Sequence, residues 1–185
     1  MPSYPPTAAD DVQRVLDGDR DAFGRLYDRH ARRVRAVVVA VSGDWRAVED
    51  LTQEAFLRGY AGLSQLKSRS DFGPWIGGIA RLVARERRRS IGRDRHRFVS
   101  STGGLPDGLE NAFPGKELEV AEELSHLHEA INALPERERL AIHAYYFEEM
   151  NVDRASEMLG LSRSGFYATL GRGLKKLGAA PVKKD

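Results

Sequence analysis

The sequence predicts an all-α protein of two small helical domains, and three observations carry that reading. Apolar residues recur three and four apart along most of the 185 residues, and no segment shows the strict alternation of a half-buried strand. The stretch FVSSTGGLPDGLENAFPGK at 98–116 is rich in Gly, Pro, Ser and Asn and interrupts the helical period, as a flexible linker does. An apolar fraction of 41% suffices at this length for one sizeable core or two small ones. The expected division is a first domain at 10–97, a linker at 98–117 and a second domain at 118–178.

After a Pro-rich start, residues 10–42 read as helices. Val12, Val15 and Leu16 carry the first, and Ala22, Phe23, Leu26, Tyr27 and the run Val37 to Val41 carry the next, with a break at Gly18 and Asp19. Residues 46–64 read as a helix with two faces. Leu51, Ala55 and Phe56 pack inward, while Asp50, Gln53, Glu54 and Leu57 follow i, i+3, i+4, i+7 on a second stripe suited to a partner surface. Ser70 or Asp71 is the expected cap of a fourth helix, which tolerates Pro74 in its first turn and carries Phe72, Trp75, Ile76, Ile79, Ala80 and Val83 at helical spacing. Trp75 reads equally as a core aromatic and as a base contact. The far end, RERRRSIGRDRHR, balances its arginines only with Glu86 and Asp94, which favours phosphate binding over a merely solvated helix end.

Beyond the linker the helical period resumes at Leu118 and runs through Val120, Leu124, Leu127, Ala130, Ile131 and Leu134 until Pro135 interrupts it. Residues 134–177 then hold two short amphipathic helices around Gly160 and Ser162, with Asn151 and Ser162 as N-caps and a small Ser156 where two helices must cross. That is the pattern of a helix-turn-helix DNA reader. Phe166, Leu170, Leu174 and Leu177 form the packing stripe of the second helix. Arg163, Ser164, Tyr167 and Ala168, near its start, are the candidates for base edges, and Arg172 and Lys175 for phosphates.

Composition excludes several chemistries. With no cysteine there is no disulfide, thiolate metal site or cysteine nucleophile. The net charge of +2 hides segregation, arginine crowding Arg81 to Arg97 and acid gathering at Asp107, Glu110, Glu117, Glu119, Glu122 and Glu123. No stretch approaches the roughly 20 apolar residues of a membrane span, and the opening MPSYPPTAADD has no leader pattern, so no membrane insertion is expected and the expected location is the cytoplasm. His126, His128, Glu129 and His143 raise the possibility of a metal-dependent enzyme. His126 and His128, however, stand about 200° apart on a helix, and the H-E-x-x-H spacing is missing. No Gly-rich phosphate loop is present. Neither a cofactor nor a catalytic residue is expected.

In order along the chain, from about residue 10 to 177, these segments resemble the extracytoplasmic-function (ECF) group of the sigma-70 family, which directs bacterial RNA polymerase to promoters. DWRAVEDLTQEAFLRGYAGL at 44–63 is similar to the family's acidic D-L-x-Q-E-x-F helix that docks on the polymerase clamp. DFGPWIGGIARLVARERRR at 71–89 is similar to the F-x-x-W-L-x-x-I-A-R helix that opens and reads the minus-10 element, and LPERERLAIHAYYFEEM at 134–150, with the helix-turn-helix after it, to the domain that reads the minus-35 element.

The resemblance implies a transcription initiation factor with core RNA polymerase, promoter DNA and an anti-sigma factor as partners. Asp50, Gln53, Glu54 and Leu57 would make the polymerase contact, and Lys67, Arg69, Trp75, Arg81, Arg85, Arg88 and Arg89 would join the helix-turn-helix residues on DNA. Leu82 stands where the family often has Asn, and Tyr167 and Thr169 where it usually has Lys and Arg. With Gly171 and Gly173 inside the same helix, each costing about 1 kcal/mol against Ala, a weaker or differently tuned minus-35 reader is expected. The alternative is a helix-turn-helix repressor or activator that never joins polymerase. It leaves the acidic stripe and the Phe72/Trp75 helix without a task.

Overall fold

The computed structural model describes the backbone of residues 6–101 and 116–178 and the side chains of 6–93 and 124–178. Among the described residues the chain is all-α, in an amino-terminal and a carboxy-terminal group of four helices each. The first group is α1 (Ala8–Leu16), α2 (Asp21–Ser42), α3 (Val48–Gly62) and α4 (Phe72–Ser101), with 3-10 turns at Leu63–Gln65 and Arg69–Asp71. The second is α5 (Lys116–Asn132), α6 (Glu136–Ile142), α7 (Val152–Leu159) and α8 (Arg163–Lys176), with a π-helical turn at His143–Phe147.

Local chemistry sets the helix starts. The Thr7 hydroxyl accepts from the Asp10 amide while the Asp10 carboxylate accepts from the Thr7 amide, a reciprocal capping box that opens α1. Asp19 Oδ1 accepts from the amides of Asp21 and Ala22 at the start of α2. α4 is entered differently from the expectation: the Ser70 hydroxyl shares a 2.8 Å bond with Ser68 Oγ, and the 3-10 turn feeds directly into the helix. Pro135 precedes α6, where its missing N–H is harmless.

α2 is the axis of the fold. It packs against α1, α3 and α4, and also against α6 and the π-helical turn. Cover from both groups explains why residues 36–41 are all buried, since a helix apolar on every side needs neighbours on every side. Phe23, Phe56 and Phe72 meet edge to face at 6.2 and 6.5 Å in the amino-terminal core. α4 continues to Ser101 and α5 begins at Lys116, so helix runs into both ends of the expected linker. Its centre, 102–115, with Asp107 and Glu110, lies outside the described residues, as do the side chains of Glu117, Glu119, Glu122 and Glu123.

The two groups meet at the carboxy-terminal end of α2. Arg139 of α6 is 7% exposed and donates through Nε to the Ala40 carbonyl at 2.7 Å and through a terminal nitrogen to the Asn132 and Leu134 carbonyls at 2.8 Å each. Its charge therefore faces the carbonyl ends of α2 and α5, where a helix dipole favours a cation. Burial still lowers its pKa, and Arg88 nearby adds to the effect. Asn132 donates to the Gly43 carbonyl at 2.8 Å, Arg35 Nε donates to the Glu148 carboxylate at 2.9 and 3.1 Å, and Trp45 stacks on His128 at 4.8 Å. Beside this joint runs a polar groove of about 950 Å³, lined among others by Asp44, Asp50, Arg87, Arg88 and Arg139.

Candidate nucleic-acid interface

The helix-turn-helix is assembled by its caps and one turn. Asn151 Oδ1 accepts from the Arg154 amide at 2.9 Å, Ser162 Oγ accepts from the Gly165 amide at 3.1 Å, and Gly160 makes the turn between them at φ +64°. Ala155, Ser156, Met158 and Leu159 of α7 are buried, as are Phe166, Leu170 and Leu174 of α8. The small Ser156 leaves room for the crossing.

The outer side of α8 carries Arg163, Ser164, Ala168, Arg172 and Lys175 exposed, with Tyr167 half-buried beside them. Arg163 lies 3.2 Å from Asp153, but both side chains are well exposed, so the pair costs little to break. Thr169 is not on this side. Its hydroxyl is buried, donates to the Gly165 carbonyl at 2.8 Å and accepts from Arg172 at 3.0 Å. The departure at 169 therefore alters packing rather than the exposed strip of α8. Glu138 of α6, itself buried, accepts from Lys176 at 2.9 Å and stands 3.9 Å from Arg172, which ties the end of α8 to α6. Sequence spacing gave no sign of that carboxylate's role.

On α4 the spacing puts Arg81, Arg85, Arg88 and Arg89 on one side of the helix. Arg85, Arg88 and Arg89 are exposed and have no ion pair among the described residues, whereas Arg81 lies 3.5 Å from Glu136 of α6. Leu82, 53% exposed, stands at the edge of this basic face. Trp75 is half-buried, tilted on Phe72 at 5.9 Å and lying against α3 at Gly59 and Gly62. Lys67 and Arg69 are exposed in the segment between α3 and α4, next to the start of the same helix.

The α3 stripe is open to solvent around an apolar centre. Leu57 is 58% exposed, with Asp50 and Gln53 exposed beside it, and Glu54 bonds Arg58 at 2.7 Å. Arg58 reaches on to Glu86 of α4 at 2.8 Å, so one guanidinium bridges the acidic stripe and the basic helix, whose packing sets their register. Tyr60, also exposed, extends the apolar centre by one turn while its ring packs on Phe23 at 4.9 Å, and its spacing from Leu57 is the signal in the sequence that would have added it to the stripe.

The candidate metal ligands do not converge. His128 Nδ1 lies 2.7 Å from the Leu124 carbonyl with its ring on Trp45, and His143 is buried beside Phe147. Among the described residues no group of three His, Asp or Glu side chains could hold an ion. No described helix is long and apolar enough to cross a membrane.

Residues 26–94 match the family model of sigma-70 region 2, and residues 124–177 that of sigma-70 region 4. The chain is 33% identical to the probable RNA polymerase sigma factor RfaY of Xanthomonas campestris pv. campestris over 88% of its length, although it spans only 41% of that relative. It is 31% identical to the ECF RNA polymerase sigma-E factor of Escherichia coli (strain K12), over 71% of each chain. In three dimensions it is similar to CnrH, solved in complex with the cytosolic domain of CnrY, with a TM-score of 0.57 and 19% identity over 92% of this chain and 94% of that one. With an open acidic stripe, a basic helix beside it and a capped helix-turn-helix on one chain, the matches lead to one assignment: the chain belongs to the sigma-70 family, in its extracytoplasmic-function group.

Proposed function

We propose that this chain joins core RNA polymerase through α3 and directs it to promoters, with α4 holding and reading the minus-10 element and α8 reading the minus-35 element. The observation that carries this reading is the α3 stripe. Leu57 stands open between acidic and polar neighbours, and Arg58 links that stripe to the basic helix α4. A repressor acting alone needs no such surface. An apolar centre with an acidic rim suits a basic protein partner, where charge speeds and orients docking and the desolvated centre supplies affinity.

The residues assigned are Asp50, Gln53, Glu54 and Leu57 for polymerase, and Lys67, Arg69, Trp75, Arg81, Arg85, Arg88, Arg89, Arg163, Ser164, Tyr167, Ala168, Arg172 and Lys175 for DNA. Residues 10–97 form the first functional module and 118–178 the second, joined by 98–117. The protein acts as an initiation factor rather than an enzyme. Its place is the cytoplasm, where polymerase and promoter are, and an anti-sigma factor is its expected regulator.

The test is assembly of holoenzyme. Asp50→Lys with Glu54→Lys should abolish coelution with core polymerase while the circular dichroism spectrum stays that of the parent. Normal assembly by the folded double variant overturns the α3 assignment, and a parent chain that never coelutes overturns the function.

A further inference from the structure

Gly73, Gly77 and Gly78 stand near the start of α4, and the first two lie against α2. A β-carbon at Gly73 would stand 3.1 Å from Cε1 of His30, and one at Gly77 3.5 Å from Nε of Arg33. Gly78 is exposed, and a β-carbon there would meet nothing within 4 Å. A glycine inside a helix lowers its stability, and no packing contact asks for this one. Openness alone is not distinctive, since Gly24 and Gly171 share it. The neighbours of Gly78 are.

Gly78 lies at the centre of the arginine face. At 3.6 residues per turn, Arg85 and Arg89 fall within about 20° of its direction. One turn before it stand Pro74 and Trp75, and one turn after it Arg81 and Leu82. Pro74 is exposed, Trp75 and Arg81 are half-buried, and Leu82 is 53% exposed. Bare backbone thus forms the floor of a shallow notch, with two rings at one end, an aliphatic side chain at the other and cations continuing the same line.

We infer that this notch seats one unpaired thymine of the minus-10 element, its ring against the Gly78 backbone and its 5-methyl group against Leu82. The inference rests on the function proposed above and deepens it by naming the base and the contact. Promoter opening leaves bases outside the stack, and a base approaches a helix backbone closely only where a side chain is missing. Bases are told apart by hydrogen bonds at their edges or by the methyl group of thymine. Pro74 and Leu82 offer no hydrogen bond, and Arg81 lies 3.5 Å from Glu136. Apolar contact remains, and thymine is the base that carries a methyl group. Arg85 and Arg89, with no ion pair among the described residues, hold the phosphates of the same strand.

Thymine and uracil differ in that methyl group alone, which makes the test direct. Holoenzyme selects from a library of forked promoter duplexes whose minus-10 element is randomised and unpaired on one strand, and each enriched thymine is then replaced by uracil. At one position the replacement should weaken binding by the parent about fourfold, the worth of one buried methyl-sized group. Leu82→Asn holoenzyme should bind the two bases alike there. Gly78→Leu, which fills the notch, should weaken binding with either base, yet melt at or above the parent's temperature because the space is open and leucine favours helix. A parent that distinguishes thymine from uracil nowhere overturns the inference. So does Leu82→Asn with the parental ratio, or Gly78→Leu with parental binding. Those failures leave coelution with core polymerase, the separate readout of function, intact, whereas a chain that never coelutes removes the proposed function and the role of the notch with it.

Discussion

A β-carbon at Gly173 would stand 3.0 Å from Cδ1 of Ile142 and 3.3 Å from Cβ of Glu138, so α8 crosses α6 closely enough that a side chain there makes the neighbours give way. Gly171, two residues earlier, has open space around it. The two glycines therefore have different reasons to be there. Gly171→Ala should raise stability by about 1 kcal/mol through helix propensity. Gly173→Ala should lose that gain to the clash. Urea denaturation of the two variants checks this, and equal gains at both positions would show that α8 and α6 do not pass so closely.

The arginines of α4 should differ in their weight on DNA. Arg85, Arg88 and Arg89 have no ion pair among the described residues, and removing a side chain that neutralises one phosphate should take about 0.9 from the logarithmic salt slope of duplex binding. Replacing all three by Gln should flatten the slope by two to three such steps, while Arg81→Gln, relieved of its Glu136 pair, should change it less. Fluorescence anisotropy of holoenzyme on labelled promoter duplex across a salt series gives the slopes. A triple variant with the parental slope would make these residues a solvated helix end.

Base readers and phosphate anchors on α8 should fail in different ways. Arg163→Ala or Tyr167→Ala should change the preferred minus-35 sequence, since a good bidentate base contact is worth about 1 to 3 kcal/mol of discrimination. Lys175→Ala should weaken all sites alike. A promoter-library selection separates the two patterns. If both of the first variants return the parental preference, a different side of α8 faces the groove.

Acid should weaken the fold through His143. Burial holds its ring pKa down to about 4 from 6.5, with His128 and Arg139 adding to the effect. The unfolded chain thus takes a proton near pH 6.5 that the folded chain refuses until about pH 4. Stability is full above the unfolded value and falls as pH drops through that window, by on the order of 3 kcal/mol at most for this residue. Urea midpoints at pH 4.5 and 7.5 should converge in His143→Gln relative to the parent. An equal acid loss in both proteins would place the effect elsewhere.

Much of the fold is legible in the sequence because it is local. Caps at Asn151 and Ser162, the packing stripe of α8 and the α3 stripe follow from spacing within a helix, and the structure places each as the spacing implies. What spacing cannot show is which face meets a second element. Thr169, which stands where the family usually has Arg, is buried, Gly173 reads as a costly defect and is a close crossing, and Ser70 reads as a cap and bonds Ser68 instead. The run Val37 to Val41 announces burial without saying that helices from beyond the linker supply part of it. Arg139 is invisible for the same reason, since its partners are backbone carbonyls, which carry no sequence identity.

The division of α8 into an inward side that grips α6 and α7 and an outward strip directed at solvent bears on how such a reader diverges. Arg163, Ser164 and Ala168 are exposed and make no contribution to the core, so drift at those positions carries little penalty in foldedness. Thr169, Gly173 and Leu174 are bound to the interior and should tolerate almost no change. If α8 reads promoters as proposed, a lineage can retarget it through a handful of surface letters while the scaffold beneath them stays fixed.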